Sequence, residues 1–198
     1  MSDENNPATR LPLLSKLGKC PVTVVILAAN TVVFLLGFIK GEDFAYDYGI
    51  FPPAVRAGEY YRLFTSFFIH ADFAHFLCNM FVLFSIGQMF ESVLGHIRTA
   101  VIYLLSGLGG SAAVMLIEDE YTLTVGASGA IFGMIGALLV FMLRNKRFDL
   151  AKNIVIGLAI NLAITFTSKT VSVGGHVGGL VSGLVLGLIL CMRKRSDQ

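Results

Sequence analysis

The chain of 198 residues is strongly apolar: 55% of its residues are hydrophobic and 14% are charged, and its mean hydropathy is +0.75. This composition excludes an ordinary soluble domain and indicates a polytopic membrane protein. The formal net charge of +2 comes with no signature of nucleic-acid binding, so no nucleic-acid partner is expected. Residues 1–20 have neither an apolar core nor a small-residue cleavage site. They predict a short cytoplasmic tail and no cleaved signal peptide.

Six apolar runs follow, and a helix that crosses a bilayer needs about 20 such residues. The runs predict an all-α membrane protein whose six-helix bundle occupies residues 21–192, followed by a cytoplasmic tail at 193–198. The predicted spans are residues 22–39, 72–94, 99–117, 128–143, 150–166 and 175–192. Residues 40–69 form the one long connection, where glycines and prolines break any continuous helix. Its aromatic residues suit the level of the lipid headgroups.

The distribution of positive charge predicts the orientation of the bundle. With the N-terminus in the cytoplasm, eleven of the fifteen Lys and Arg residues lie on the cytoplasmic side. The four that lie outside are Lys40, Arg56, Arg62 and Lys169. An excess of Lys and Arg is typical of cytoplasmic loops, so both termini are expected in the cytoplasm.

Few polar side chains lie within the predicted spans, and such residues usually face the bundle interior or a wet cavity. His75 and Asn79 are four residues apart in the second span and therefore share one helical face. Ser128 begins the fourth span in the stretch "TVGASGAIFG", and His176 lies near the start of the sixth. Even-numbered spans all start at the outer side in the predicted orientation. The four residues are therefore expected at a similar depth.

This set of side chains is suited to acyl transfer. A serine hydroxyl becomes a good nucleophile when a neighbouring base takes its proton, and histidine titrates close enough to neutrality to act as that base. Ser128 would be the nucleophile and His176 the base. The Ser128 amide, Asn79 and His75 would donate hydrogen bonds to the oxyanion. No acidic residue is placed as a third member, which favours a dyad over a triad. Taken singly, Ser128 could instead be a small packing residue and His176 a packed core histidine.

Small residues on the fourth and sixth spans predict that these two helices approach closely. The residues concerned are Gly129, Gly133 and Gly136 on the fourth span and Gly179, Gly183 and Gly187 on the sixth. Close packing would bring Ser128 within hydrogen-bond reach of His176. Phe132, one turn after Ser128, would then stack against the imidazole and hold its orientation.

Several motifs together resemble the rhomboid intramembrane serine proteases, across residues 61–187. "GASG" resembles the family's G-x-S-G motif, which makes Ser128 the nucleophile between Gly126 and Gly129. "GHVGGLVSG" resembles the A/G-H-x-x-G-x-x-x-G motif of the sixth helix, which makes His176 the general base and includes Gly179 and Gly183. "HFLCN" resembles the H-x-x-x-N motif of the second helix, with His75 and Asn79 as oxyanion partners.

The chain departs from the family pattern in two places. Rhomboids usually have Trp-Arg in the external loop, where this chain has Tyr61 and Arg62, and many have Tyr at the position of Phe132. The resemblance implies that Arg62 braces the external loop. It also implies that Glu91, near the cytoplasmic end of the second helix, makes structural bonds to neighbouring groups. His70 and His96 are expected to be interfacial and solvated.

The resemblance implies a membrane-embedded serine endopeptidase that needs no metal or organic cofactor. Its substrates would be single-span or multi-span transmembrane proteins, cut near the outer ends of their helices after sideways entry from the surrounding lipid. The compact core resembles bacterial members of the family, which implies the bacterial cytoplasmic membrane. The alternatives are a small transporter or channel, a metal-dependent membrane protease, which would need a motif such as H-E-x-x-H, and a noncatalytic binding protein of rhomboid shape.

Overall fold

The computed structural model describes residues 19–41, 43–167 and 171–190. In this part of the chain the regular structure is helical, apart from one isolated bridge between Ile50 and Thr124. The long helices are α1 (Pro21–Lys40), α2 (Phe73–Leu94), α3 (His96–Ile117), α4 (Ser128–Arg144), α5 (Phe148–Thr167) and α6 (Val173–Leu190). The prediction of an all-helical chain is confirmed. The predicted tails, apart from Lys19 and Cys20, and the last two residues of the predicted sixth span lie outside the described residues.

Five of these helices, α1, α2, α3, α5 and α6, are long and apolar enough to cross a membrane. The remaining long helix, α4, is apolar but has only 17 residues, which correspond to about 25 Å of helix. Lipid offers no hydrogen-bond partners to the backbone, so apolar runs of this length fold as helices that satisfy their own amides and carbonyls. The chain is therefore an integral membrane protein with at least five candidate spans among the described residues.

Helix α4 is the central element of the bundle, because it packs against α2, α3, α5 and α6. Twelve of its 17 residues are buried. Its middle is formed by large apolar side chains such as Met134 and Leu138, which are fully buried. The position of α4 places its first residue, Ser128, at one end of the core with other helices around it.

Glycine allows α6 to pack directly on the backbones of two neighbours. A Cβ atom added at Gly179 would lie 2.0 Å from the carbonyl oxygen of Gly129, and one added at Gly183 would lie 1.9 Å from that of Gly133. These are contacts with α4. On the other side, a Cβ atom added at Gly110 of α3 would lie 2.8 Å from the carbonyl oxygen of Gly175. The α4 contact was expected from the sequence, whereas the α3 contact was not.

The long connection between α1 and α2 contains three short helices, Asp43–Tyr48, Pro52–Arg56 and Arg62–Thr65, and a 3-10 turn at Ser66–Phe68. Arg62 is buried within it and donates to Glu59 Oε2 at 2.7 Å, to the Gly49 carbonyl at 3.0 Å and to the Tyr46 carbonyl. Hydrogen bonds from Tyr61 and Arg62 lower the pKa of Glu59. Arg62 therefore joins separate turns of the connection.

Glu91, near the C-terminal end of α2, joins this helix to α1 and α3. Its buried carboxylate accepts hydrogen bonds from the backbone amides of Val22 at 2.9 Å and Thr23 at 2.7 Å, and from the Thr23 hydroxyl at 2.6 Å. His96 Nδ1, at the start of α3, lies 2.6 Å from the same carboxylate. Because the first amides of a helix have no partner within the helix, Glu91 acts as the N-terminal cap of α1.

Candidate active site

Ser128 occupies the first position of α4. Just before it, the backbone at Gly126 packs closely against Ser66 and His75. Gly126 has φ +126°, a conformation that favours glycine. Its amide donates to the Ser66 carbonyl at 3.0 Å. A Cβ atom added at Gly126 would lie 2.7 Å from His75 Cε1 and 3.7 Å from Ser128 Oγ. The missing side chain therefore leaves room for the His75 ring beside the Ser128 hydroxyl.

His75 and Asn79 lie on the first two turns of α2. The Asp72 side chain accepts a hydrogen bond from the His75 amide at 2.8 Å and so caps this helix. Asn79 is buried, and its Nδ2 donates to the His75 carbonyl at 2.9 Å. Because a side-chain amide has two N–H groups, one donor of Asn79 is left for another acceptor. Both residues line the same cavity as Ser128.

His176 lies on the first turn of α6 with two neighbours around its ring. The Phe132 ring stacks on it at a centroid distance of 4.2 Å and an interplanar angle of 19°. Nδ1 of His176 lies 2.8 Å from Thr165 Oγ1 on α5. Over the described residues, no hydrogen bond joins Ser128 to His176, although both line one cavity. Catalytic hydrogen bonds are often long or unformed without substrate, so this arrangement is compatible with a dyad.

The cavity has a volume of about 880 Å³ and is lined by residues of α2, α3, α4 and α5 and by the first turn of α6. It extends from Ser128 and His176 to Ile86 on α2 and Asn153 on α5. Its wall is mainly apolar, and its polar side chains include His75 and Asn79 of α2, Ser128 and His176, and Asn153 and Asn161 of α5. Among residues 19–41, 43–167 and 171–190, no group of three His, Cys, Asp or Glu residues is placed to hold a metal ion.

The expectation that His70 is solvated is wrong. His70 is only 7% exposed, and in the described part of the chain both of its ring nitrogens lack a hydrogen-bond partner. Its ring packs edge to face against His75 at 5.3 Å and Phe76 at 5.5 Å. Burial, together with the charge of the neighbouring His75, lowers the pKa of His70 to about 4. His96 is exposed but is bonded to Glu91, so it is not simply solvated.

The structure brings Ser128, His176, His75 and Asn79 together around one cavity and leaves two predicted supporting residues elsewhere. Arg62 lies in the connection between α1 and α2, and Glu91 lies toward the C-terminal end of α2. Sequence reasoning missed Thr165, which contacts His176. No signal marked it, because it lies 11 residues before His176 in an otherwise ordinary apolar helix.

Comparison with known proteins finds one family. The model of the Rhomboid domain matches residues 57–193. RHOMBOID-like protein 5 of Arabidopsis thaliana is 39% identical over 92 residues, which are 46% of this chain and 30% of that protein. RHOMBOID-like protein 6, mitochondrial, of the same plant is 41% identical over 91 residues, 46% of this chain and 29% of that protein.

A bacterial relative is similar over a longer part of the chain. Rhomboid protease GluP of Bacillus subtilis (strain 168) is 34% identical over 138 residues, which are 67% of this chain and 27% of that protein. The chain spans less than a third of the length of each of these three relatives. The matched regions of this chain are therefore similar to a part of each larger protein.

Proposed function

The chain belongs to the rhomboid family, and on this premise we propose that it is an intramembrane serine endopeptidase with Ser128 as nucleophile and His176 as general base. The observation that carries the proposal is the convergence of Ser128, His176, His75 and Asn79, from three helices far apart in sequence, on one cavity. A mainly apolar cavity with a few convergent polar groups is the usual form of an enzyme site.

The proposed reaction begins when Ser128 Oγ attacks the carbonyl carbon of the scissile peptide bond and His176 Nε2 takes the hydroxyl proton. The oxyanion that forms would accept hydrogen bonds from the Ser128 amide, from the free N–H of Asn79 and from His75. Loss of one such donor typically costs about 10²- to 10³-fold in kcat. His176 then gives its proton to the leaving amine, and an ester to Ser128 remains.

Water completes the cycle by attacking this ester, with His176 again as the base and Ser128 as the leaving group. No metal or organic cofactor takes part in these steps. Because no hydrogen bond joins Ser128 to His176 in the described part of the chain, the proposed dyad bond would form when substrate binds.

The proposed topology is a bundle of six spans over residues 21–192, in which α4 is the short central span. The tails at 1–20 and 193–198 would lie in the cytoplasm. The excess of Lys and Arg on one side supports this orientation. Ser128, His75 and His176 would then lie near the outer face, where the enzyme would cut single-span or multi-span transmembrane substrates that reach it through lipid. A bacterial cytoplasmic membrane is the proposed location.

Thiol labelling tests the orientation. A cysteine introduced at Glu120, in the connection after α3, should react with an impermeant reagent added to intact cells. A cysteine introduced at Lys146, after α4, should react only after the cells are opened. The reverse pattern would refute the proposed orientation.

Cleavage by purified protein tests the activity. In detergent, the wild-type chain should cut a generic single-span substrate, and Ser128→Ala and His176→Ala should not. A fluorophosphonate should label wild type and fail to label Ser128→Ala. Ser85→Ala is the matched control, because Ser85 is exposed on α2 and bonds only its own helix at the Phe81 carbonyl. Undiminished cleavage by a folded Ser128→Ala protein would refute the proposed mechanism.

A further inference from the structure

The last turns of α5 direct one polar side chain into the bundle. Thr165 is 1% exposed, whereas its neighbours Ile164 and Phe166 are 55% and 65% exposed. Thr165 Oγ1 lies 2.8 Å from the Asn161 carbonyl of its own helix and 2.8 Å from Nδ1 of His176 on α6. A fully buried hydroxyl is thus shared between a backbone carbonyl and the imidazole.

The two contacts assign the protons. A hydroxyl has a single proton and two acceptor positions, whereas a carbonyl oxygen can only accept. The bond to the Asn161 carbonyl therefore uses the Thr165 proton. If that proton stays in the bond to the Asn161 carbonyl, Nδ1–H of His176 donates to the hydroxyl oxygen. A neutral imidazole with its proton on Nδ1 has its lone pair on Nε2.

We propose that Thr165 is a positioning residue that holds His176 in the tautomer protonated at Nδ1. The inference rests on the proposed function, because it identifies how the base is prepared for Ser128. Phe132 restrains the face of the ring and Thr165 restrains its edge, so that rotation about both side-chain bonds is limited. Nε2 is then the nitrogen available to accept the serine proton.

This arrangement replaces the carboxylate that orients the histidine of a triad. A neutral hydroxyl is suited to a position at membrane depth, where an isolated carboxylate would be costly to bury. Thr165 can perform the task because its own proton is committed to the helix backbone. At metal sites, loss of a residue that fixes a histidine tautomer lowers metal affinity or activity by about 10- to 100-fold. A similar loss of kcat is expected here.

The test is ¹⁵N NMR of histidine-labelled, full-length protein in lipid bilayers at about pH 8, where an ordinary histidine is neutral. The signal of His176 is identified by its absence in His176→Asn. In wild type, His176 should carry its proton on Nδ1. In Thr165→Val, which keeps the side-chain shape and removes the hydroxyl, the proton should move wholly or partly to Nε2. Thr165→Ser should restore the wild-type spectrum.

Thr167→Val is the matched control, because Thr167 bonds a backbone carbonyl in the same way but is exposed. It should leave the His176 spectrum unchanged. Should Thr165→Val destabilise the fold, Thr165→Ala provides a second variant without the hydroxyl. A wild-type proton on Nε2, or an unchanged Nδ1 proton in both Thr165→Val and Thr165→Ala, would overturn the inference.

Kinetics separate this inference from the proposed function. Thr165→Val should lower kcat by about 10- to 100-fold with little change in KM, and Thr165→Ser should recover most of the loss. If the spectra behave as expected but wild type cuts no substrate, the assignment of Thr165 stands and the protease function fails. If wild type cuts and the spectra contradict the expectation, the function stands and the role of Thr165 is wrong.

Discussion

Replacing Gly183 with alanine tests whether direct backbone contact holds α6 against α4. A Cβ atom at this position would lie 1.9 Å from the Gly133 carbonyl oxygen, whereas ordinary van der Waals contact begins at 3.4 Å. The two helices would have to separate by ~1.5 Å, the difference between these two distances, because a backbone carbonyl cannot rotate away as a side chain can. Gly179 makes the same kind of contact with Gly129 one turn closer to the site.

The expected size follows from two opposing terms. Overpacking a tight core costs about 1–3 kcal/mol, and contact with backbone favours the upper end of that range. Alanine has a helix propensity about 1 kcal/mol better than glycine, which acts in the opposite direction. We therefore expect Gly183→Ala to lower the free energy of unfolding by about 2 kcal/mol.

Gly157→Ala is the matched control, since a Cβ atom added at Gly157 of α5 meets nothing within 4 Å. This variant should be as stable as wild type or up to about 1 kcal/mol more stable. The assay is equilibrium unfolding in mixed detergent micelles, with helix content as the measured signal. Equal stability of Gly183→Ala and wild type would refute the reasoning. So would equal destabilisation by both substitutions, because lack of space could not then be the cause.

Four further substitutions test other contacts. Asn79→Ala should lower kcat about 100-fold with little change in KM, since its free N–H would act only as charge develops; an unchanged kcat in folded protein would exclude the oxyanion role. Glu91→Ala should lower the free energy of unfolding by about 3 kcal/mol, because it leaves amides of α1 without acceptors; unchanged unfolding would contradict this. Arg62→Lys keeps the charge but loses the planar fork, so soluble protease should cut the connection between α1 and α2 faster, whereas an equal rate would argue against the brace. The unfolded chain has an ordinary histidine pKa of about 6.5, whereas that of His70 is about 4 in the fold. Wild type should therefore lose stability as pH falls from about 6.5 to 4, and His70→Phe should lose less; identical pH dependence would refute it.

Much of the fold follows from the sequence because lipid restricts the choices. An apolar run of about 20 residues must satisfy its own backbone hydrogen bonds, so it folds as a helix wherever it occurs. The observed helices begin and end within three residues of the predicted ones, apart from the undescribed end of α6. Ser128, His75 and Asn79 could be recognised as candidate site residues because polar side chains are rare in such apolar runs.

Most packing partners of the helix faces could not be read from the sequence. The glycines of α6 predict its close approach to α4, but only the tertiary structure shows that Gly110 of α3 packs on the Gly175 carbonyl of α6 as well. Likewise, no local pattern places the Thr165 hydroxyl on His176 or buries His70 between neighbouring rings. Local composition determines which segments become helices because each satisfies its backbone alone. Contacts between helices depend on the shape of both surfaces, which exists only once the bundle has assembled.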